Sequence, residues 1–367
     1  MATIRSFFRS QTIFCIAFLL AAGSMFLVPP SPEYINYIDF RTLALLFCQM
    51  TVISGMVRSG LSDWISGQVR RRFVTTRRAG AALVFLSFFS AMLITNDVAL
   101  MSFVPLTAAV FSRRGQEREL ITVLVLQTIG ANIGSMFTPF GNPQNLYLYG
   151  VSGMDAWEFF RLTGKYTLLS GVLLALSLLT VRDIPLPADS GAAKRKLDAK
   201  RNVLYALLLV VCVLGVLRVL SVTLVVLIVV VAFLWLDHGA FSGVNYMLLL
   251  TFVVFFILAG NIRHMQSFRD LIERTVESRT LLTSVLVSQI ISNVPAAMLL
   301  NAFTSDIPGL IIGTNLGGLG TIIASMASLI TWQYYVRTPQ PSKGRYLLTF
   351  TLWNLGFLAL LLLAAFL

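Results

Sequence analysis

Long apolar runs separated by short polar or basic connections occupy most of this 367-residue chain. An α-helix needs about 20 apolar residues to cross a hydrocarbon core of about 30 Å, and several runs approach that length. The pattern predicts an all-α polytopic membrane protein, because helices satisfy their own backbone polar groups in lipid. We place ordinary spans at about 11–28, 41–56, 166–181, 203–219, 220–236, 246–260 and 346–366.

Composition narrows the class of protein further. Hydrophobic residues make up 57% of the chain and charged residues 12%, and the longest plainly hydrophilic stretch is 182–202. That stretch is too short for a soluble catalytic or nucleic-acid-binding domain. The formal net charge of +12 comes from short basic clusters between apolar runs, the distribution that orients membrane proteins. We therefore expect the lipid bilayer as a partner and no nucleic acid.

The basic clusters also predict how the chain is oriented. Arg5 and Arg9 precede the first apolar run and place the N-terminus in the cytoplasm. We interpret that run as an uncleaved first helix rather than a secretory signal, because many spans follow it. Of the 28 Lys and Arg residues, 19 fall in loops that this layout puts on the cytoplasmic side. The expected location is the bacterial inner (plasma) membrane.

A polar interruption, Thr95-Asn96-Asp97, divides the apolar segment at about 80–111. Basic clusters flank this segment on both sides, so both of its ends are predicted to be cytoplasmic. Each arm has about 14 or 15 residues and reaches about 22 Å, less than a hydrocarbon core of about 30 Å. The pattern favours a re-entrant hairpin with its tip near mid-membrane; two thin spans joined by a tight external turn are the alternative.

The next segment, at about 119–150, has the composition of a broken helix. We expect it to lose regularity at 130–135 and to continue irregularly through 138–145. The stretch 130–145 contains two prolines, three glycines and three asparagines, which would leave backbone groups of an ordinary span unsatisfied. Freed N–H groups suit an anion, and carbonyl and side-chain oxygens suit a small cation. A kinked span with helix-packing glycines is the alternative.

The second half of the chain repeats this order. An amphipathic stretch at 262–276 precedes a second hairpin at about 281–303, interrupted at 292–295, and a second broken helix at about 308–332. Residues 313–318 match 130–135 in pattern. We therefore predict two inverted repeats, 1–181 and 203–367, joined by a cytoplasmic linker at 182–202. An extra span at 203–219 inverts the second repeat, so that its hairpin enters from outside.

Inverted repeats with interrupted helices place the binding site at mid-membrane, where the breaks converge. The predicted substrate and ion site comprises Thr95, Asn96, Asp97, Asn132, Gly134, Ser135, Thr138, Asn142, Pro143, Asn145, Ser292, Asn293, Pro295, Thr314, Asn315, Gly317, Gly318 and Thr321. The Na+ candidates among them, chosen as oxygen ligands for a hard cation, are Thr95, Asn96, Asp97, Asn132, Ser292, Asn293 and Asn315.

Asp97 is the ionisable residue of this predicted site. An unpaired charge there costs at least ~2.5–3.5 kcal/mol in a bilayer, so we expect Asp97 to bind Na+ or to carry a proton. No Lys, Arg or His lies in either core, so an anionic solute needs bound cations, protonation or helix N-termini to neutralise it. We expect no catalytic residues and no cofactor, with Na+ or H+ as the coupling ion, because no nucleophile–base pair or metal-binding cluster is present.

Three motifs together resemble the ion transporter superfamily. They are the tip Thr95-Asn96-Asp97, the run Gly141-Asn142-Pro143-Gln144-Asn145, and Ser292-Asn293 combined with the glycine-rich 314–318. This superfamily includes divalent-anion:sodium symporters, citrate permeases, arsenite permeases and sodium/proton antiporters. The resemblance implies a homodimer in which a transport domain, holding both tips and both broken helices, moves against a scaffold in an elevator-type cycle.

The expected function is secondary active transport of a small anion, a carboxylate, coupled to Na+ or H+. Sodium–dicarboxylate members carry Ser-Asn-Thr at both tips, whereas this chain has Thr-Asn-Asp and Ser-Asn-Val. The Asp at the first tip is similar to arsenite permeases. The alternative functions are therefore a Na+/H+ antiporter or an arsenite-like oxyanion efflux permease.

Overall fold

The computed structural model describes residues 12–73, 75–111, 116–186, 197–265, 276–277, 279–339 and 341–366. Helices make up most of these residues. Within the described ranges, the β-structure is an isolated bridge between Thr75 and Pro185. The prediction of an all-α protein is confirmed.

Nine helices are described in the first half of the chain. They are α1 (Thr12–Ser24), α2 (Tyr34–Tyr37), α3 (Phe40–Arg58), α4 (Leu61–Arg72), α5 (Thr76–Ile94), α6 (Asn96–Val110), α7 (Glu117–Met136), α8 (Pro143–Ser152) and α9 (Ala156–Leu178). Helices α5 and α6 form the first hairpin, with Thr95 between them. Helices α7 and α8 are the two parts of the first broken helix.

Eight further helices are described in the second half. They are α10 (Ala199–Val216), α11 (Val222–Leu236), α12 (Tyr246–His264), α13 (Thr280–Ile291), α14 (Asn293–Leu300), α15 (Ile307–Leu316), α16 (Met326–Tyr335) and α17 (Lys343–Phe366). Two 3-10 turns, His238–Gly243 and Asn301–Phe303, join them. Helices α13 and α14 form the second hairpin, and α15 and α16 are the parts of the second broken helix.

Seven helices of the described ranges are long and apolar enough to cross a membrane: α3, α5, α7, α9, α10, α12 and α17. The chain is therefore a multi-pass membrane protein. Helices α1, α6, α8, α11 and α13–α16 are shorter, with 8–15 residues each. The predicted amphipathic helix at 262–276 lies mainly outside the described residues.

The first arm of the first hairpin is longer than the sequence predicts. Helix α5 starts at Thr76 and has 19 residues, which span about 28 Å. Hydropathy misses its first turn because that turn is polar: the Thr76 hydroxyl donates to the Arg182 carbonyl, and Arg77 donates to the Val181 carbonyl at 2.9 Å. Helix α6 therefore has the predicted length, with 15 residues that span about 22 Å, whereas α5 is longer than the predicted arm.

The predicted irregularity at 130–135 is wrong, because α7 remains helical through Met136. Its glycines serve close packing: a Cβ on Gly134 would lie 2.1 Å from the Phe88 carbonyl oxygen of α5. Helix α9 also begins earlier than the span predicted at about 166–181. A capping box formed by Asp155 and Glu158 starts α9, which then continues through the apolar residues to Leu178.

Helix α7 is the centre of the bundle. In its most apolar 18-residue window 94% of the residues are buried, against 28–50% for the other six long helices. One hydrophobic cluster surrounds α7 and combines α5, α6 and α9 with α16 and α17. A second cluster combines α1, α3 and α8 with α10, α11, α12 and α14. Each cluster draws on both halves of the chain.

Candidate transport site

The two hairpin tips have the same backbone conformation. Thr95 has φ 71° and ψ 150°, and Ser292 has φ 76° and ψ 153°. This region is otherwise occupied almost only by glycine, and holding another residue there costs about 1–3 kcal/mol. Two non-glycine residues that share this strained geometry at the tips mark both tips as specialised turns.

Each tip is held by the backbone of an interrupted helix. The backbone N–H of Asn96 donates to the Gly141 carbonyl at 3.3 Å, and the backbone N–H of Asn293 donates to the Ala324 carbonyl at 2.9 Å. Each asparagine side chain then accepts from the next backbone amide at 2.9 Å, that of Asp97 or of Val294. The first hairpin is therefore fixed to the first break and the second hairpin to the second break by matching contacts.

The two breaks also correspond. Helix α7 ends at Met136, and Asn142 caps α8 by accepting from the Asn145 amide at 2.9 Å. Helix α15 ends at Leu316, and the Ser325 hydroxyl caps α16. Four helices, α6, α8, α14 and α16, therefore begin at or beside these contacts, and helix N-termini carry partial positive charge. Such a convergence favours an anion.

Three asparagines join the two breaks to each other. The Asn142 side-chain amide donates to Asn315 Oδ1 at 2.9 Å and to Ser135 Oγ at 3.0 Å. Asn315 in turn donates to Asn145 Oδ1 at 2.6 Å. All three asparagines are at most 2% exposed, so these contacts bind the first and second halves of the chain together in the buried interior.

Asn132 extends this network to the first tip. Its Oδ1 accepts from Asn96 Nδ2 at 3.1 Å and from Ser325 Oγ at 2.9 Å, and its Nδ2 donates to the Gly318 carbonyl at 3.3 Å. Gly318 faces the second tip, because a Cβ on it would lie 2.9 Å from Asn293 Nδ2. A path of neighbouring groups thus runs from Asn96 through Asn132 and Gly318 to Asn293.

Few polar groups at the tips lack a hydrogen-bond partner among the described residues. Among the described residues, the Thr95 hydroxyl, the Asp97 carboxylate and Asn293 Nδ2 have no hydrogen-bond partner, although Thr95 and Asn293 are buried and Asp97 is half-buried. Asn132, Asn142, Asn145 and Asn315 are engaged with one another or with backbone carbonyls. The structure therefore separates groups available to a ligand from groups that hold the site together.

The remaining predicted site residues differ in what their side chains contact. The Thr138 hydroxyl donates to the Met92 carbonyl at 2.6 Å, and the Ser292 hydroxyl donates to the Ala324 carbonyl at 3.3 Å, so both tie a hairpin to a break. The Thr314 hydroxyl bonds within α15, to Leu310. Thr321 is exposed. The other four are packing or helix-start positions: Gly134, Pro143, Pro295 and Gly317.

Two residues of the site are absent from the sequence prediction. Ser325 links α16 to Asn132, and Gln289 of α13 donates to the carbonyls of Gly317 at 2.8 Å and Leu319 at 3.0 Å. Ser325 follows Asn315 by ten residues, the same spacing that separates Asn142 from Asn132. Aligning the two breaks residue by residue would have identified it.

The two discontinuous helices of this multi-pass bundle are joined to each other by buried asparagine side chains, and each break contacts a strained hairpin tip. This architecture is that of a membrane transport protein. Comparison with known proteins gives the family. The chain belongs to the citrate transporter family, whose profile matches residues 5–310. The resemblance to the ion transporter superfamily is confirmed.

The chain is similar to transporters and membrane proteins of several organisms. It is 30% identical to the uncharacterized transporter MJ0456 of Methanocaldococcus jannaschii over 319 residues, 86% of each chain. It is 28% identical to the inner membrane protein YbiR of Escherichia coli over 328 residues, 88% of this chain and 87% of that one. A partial match, 22% identical over 144 residues, covers 39% of this chain and 25% of the putative transporter arsB of Dictyostelium discoideum.

Proposed function

We propose that the protein is a secondary active transporter that moves a small carboxylate across the membrane in a cycle coupled to Na+ or H+. The observation that carries this proposal is the path of contacts from Asn96 through Asn132 and Gly318 to Asn293, which unites both tips and both breaks. Sites of this kind in secondary transporters bind the solute and its coupling ion. Membership of the citrate transporter family supports the carboxylate.

Electrostatics supports the coupling. The only charge among the proposed site residues is Asp97, which has no partner in the described part of the chain. An anionic solute next to an ionised Asp97 would be repelled strongly in a medium of low dielectric constant. A bound Na+ or a proton on Asp97 removes that repulsion, so solute and cation bind together.

The transport cycle is proposed to be an elevator motion. The tips and breaks would move as a unit against the remaining helices of a homodimer, in the bacterial inner membrane and with the N-terminus in the cytoplasm. The positive-inside distribution of Lys and Arg supports this orientation.

A second candidate function is cation exchange or efflux of an arsenite-like oxyanion. The half-buried carboxylate of Asp97 favours it, because Na+/H+ exchange needs a group that binds Na+ and H+ in turn, and a carboxylate can bind both. The partial similarity to a putative transporter named arsB supports the oxyanion.

Uptake into liposomes tests the proposal. Purified protein is reconstituted, and radiolabelled citrate and succinate are offered with an inward Na+ gradient, an inward H+ gradient, or neither. We expect accumulation with one gradient and its loss when an ionophore collapses that gradient. Proton flux driven by Na+ without organic solute, or arsenite flux without carboxylate flux, would favour the second candidate instead.

A further inference from the structure

A separate cavity of about 430 Å³ opens beside the second hairpin, at its base rather than at its tip. The C-terminal end of α12, helix α2, α8 and the turn after α14 form its walls. Its polar lining residues are Asn36, Tyr37, Tyr147, Arg263, His264 and Asn301. This volume lies in the range of about 300–1,000 Å³ that is typical of small-molecule sites.

The cavity and the tip are at opposite ends of α14. That helix runs from Asn293 to Leu300, and Asn301 follows it. Asn301 follows Asn293 by eight residues, a rise of about 12 Å along the helix. None of Asn96, Asn132, Gly318 and Asn293 lines the cavity.

The charges in the cavity favour an anion. Arg263 has no ion-pair or hydrogen-bond partner in the described part of the chain, and His264 lies beside Tyr37 with ring centroids 5.9 Å apart. No Asp or Glu is among the described lining residues. Glu33 lies near Tyr37 and Asp39 lies near Tyr147, but neither acid lines the cavity.

Neutral donors point to the same kind of ligand. Asn301 Nδ2 donates to the Tyr147 hydroxyl oxygen at 2.8 Å, which leaves the hydroxyl hydrogen of Tyr147 without an acceptor among the described residues. Tyr147 is 7% exposed, so this hydrogen has little access to bulk water. Burial, with Glu33 and Tyr34 nearby, raises the pKa of Tyr37, so that phenol also remains a donor. A planar guanidinium with neighbouring hydroxyl donors suits a carboxylate.

We propose that this cavity is a second carboxylate site, in which Arg263 pairs with the anion and Tyr147 donates a hydrogen bond to it. In the orientation proposed above, the base of the second hairpin faces outward. The site would then collect the solute before it reaches the tips. The choice of a carboxylate rests on the proposed function, whereas the placement of the site rests on the cavity itself.

The position of Arg263 in the last turn of α12 has a second explanation that the test must separate. A cation there also stabilises the negative end of the helix dipole. Arg263→Gln would remove both effects, whereas Tyr147→Phe removes only the hydroxyl and leaves the helix end intact. Arg161→Gln on α9 is the matched control, because Arg161 is exposed and does not line the cavity.

Titration calorimetry with citrate and succinate at constant ionic strength tests the site in the full-length purified protein. Titrations are done in an Asn293→Leu background, so that binding at the tips is weakened. Because charge-assisted hydrogen bonds are the strong ones, we expect Arg263→Gln to weaken citrate binding by at least about tenfold and Arg263→Lys to retain part of it. Tyr147→Phe should weaken binding severalfold, and Arg161→Gln should have no effect.

Equal affinity of the Arg263→Gln and Arg161→Gln proteins would overturn the proposal, and so would an absence of citrate and succinate binding in the Asn293→Leu background. Uptake assays separate this proposal from the proposed function. Arg263→Gln should raise the KM for uptake and leave kcat unchanged. Arg263-dependent binding without any coupled uptake would refute the transport proposal alone, and coupled uptake with unaltered binding and KM in Arg263→Gln would refute the cavity site alone.

Discussion

Asn142 and Asn315 are separated by 173 residues in sequence, yet the side-chain amide of Asn142 donates to Asn315 Oδ1 at 2.9 Å in the buried interior. Asn315 in turn donates to Oδ1 of Asn145, in the first turn of α8, at 2.6 Å. Each break in the helices therefore supplies the polar partner that the other break lacks. Because buried amides are costly when unpaired, the two breaks stabilise each other.

Asn315→Leu is expected to destabilise the protein strongly. The substitution leaves groups of Asn142 and Asn145 without their partner, and each unsatisfied buried group costs about 1–3 kcal/mol. Unfolding in detergent, followed by circular dichroism, should show a clear fall in Tm. The control is Asn354→Leu, because Asn354 is equally buried and its described side-chain bond is to Phe350 in its own helix, with Oδ1 unpaired. A similar loss in both variants would contradict a special role for the contact between the breaks.

Thr95→Gly is expected to stabilise the protein by about 1 kcal/mol, since glycine adopts the tip conformation without strain and this gain exceeds its larger chain entropy. Thr95→Val keeps the strained backbone and removes the hydroxyl. Measuring Tm and uptake for both variants separates the two roles of this residue. We expect Thr95→Val to reduce uptake without a gain in Tm. Uptake at the wild-type level in Thr95→Val would show that the hydroxyl is not a ligand.

The interruptions at the two tips and the irregular stretch at 138–145 were predictable because each carries a local signal. Thr95-Asn96-Asp97 and Ser292-Asn293 interrupt apolar runs, and the two prolines and one glycine within 139–143 exclude a regular helix. Helix boundaries were predicted less accurately. The first turn of α5 is polar, so hydropathy misses it. Gly130 and Gly134 do not break α7, because they allow the backbone of α5 to pack close to it. Hydropathy indicates that a segment is apolar, but it does not show which neighbouring helix packs against it.

The partners within the site could not be predicted in the same way. Nothing local distinguishes Gln289 from a polar residue on a lipid-facing helix, and nothing near Asn142 identifies Asn315 as its partner. These contacts depend on how the two halves of the chain pack. The same limit applies to the roles of the asparagines: only the structure shows that Asn145 donates to three backbone carbonyls, so that it holds the break and is not free for a ligand.

Gly134→Ala tests whether this glycine is a packing position. An added Cβ would lie 2.1 Å from the Phe88 carbonyl oxygen, so α5 and α7 must separate, and overpacking of this kind costs about 1–3 kcal/mol or more. Gly171→Ala on α9 is the control, because its Cβ would meet the Phe88 ring at an ordinary 3.7 Å. We expect a lower Tm for Gly134→Ala and no loss for Gly171→Ala. Equal Tm values would show that α5 can move away at little cost.

Asp97→Asn should abolish ion-coupled uptake. The substitution keeps the size of the side chain but removes the group proposed to bind Na+ or to carry the proton. Uptake of citrate or succinate in liposomes should lose its stimulation by the coupling gradient. The control is Asp63→Asn on α4, where the carboxylate is exposed. If Asp97→Asn retained the wild-type dependence on the ion gradient, Asp97 would be a structural residue and the coupling ion would bind elsewhere.

Gln289 provides a test of the segment between α15 and α16. Its side chain donates to the carbonyls of Gly317 and Leu319 and accepts from the Thr321 amide at 2.8 Å, so one amide fixes both sides of this turn. Gln289→Leu removes all of these contacts and leaves the carbonyls unpaired, a loss of about 1–3 kcal/mol for each group that water does not reach.

Because Gly318 of that turn also accepts from Asn132 and faces Asn293, we expect Gln289→Leu to lower uptake more than its effect on stability explains. Gln333→Leu on α16 is the matched control: Gln333 is exposed, and surface substitutions usually change stability by less than about 0.5 kcal/mol. Uptake per folded molecule is compared after Tm and monodispersity are measured for each variant. Equal uptake by the two variants would mean that the tips keep their geometry without Gln289, and that the path through Asn132 is sufficient to hold them.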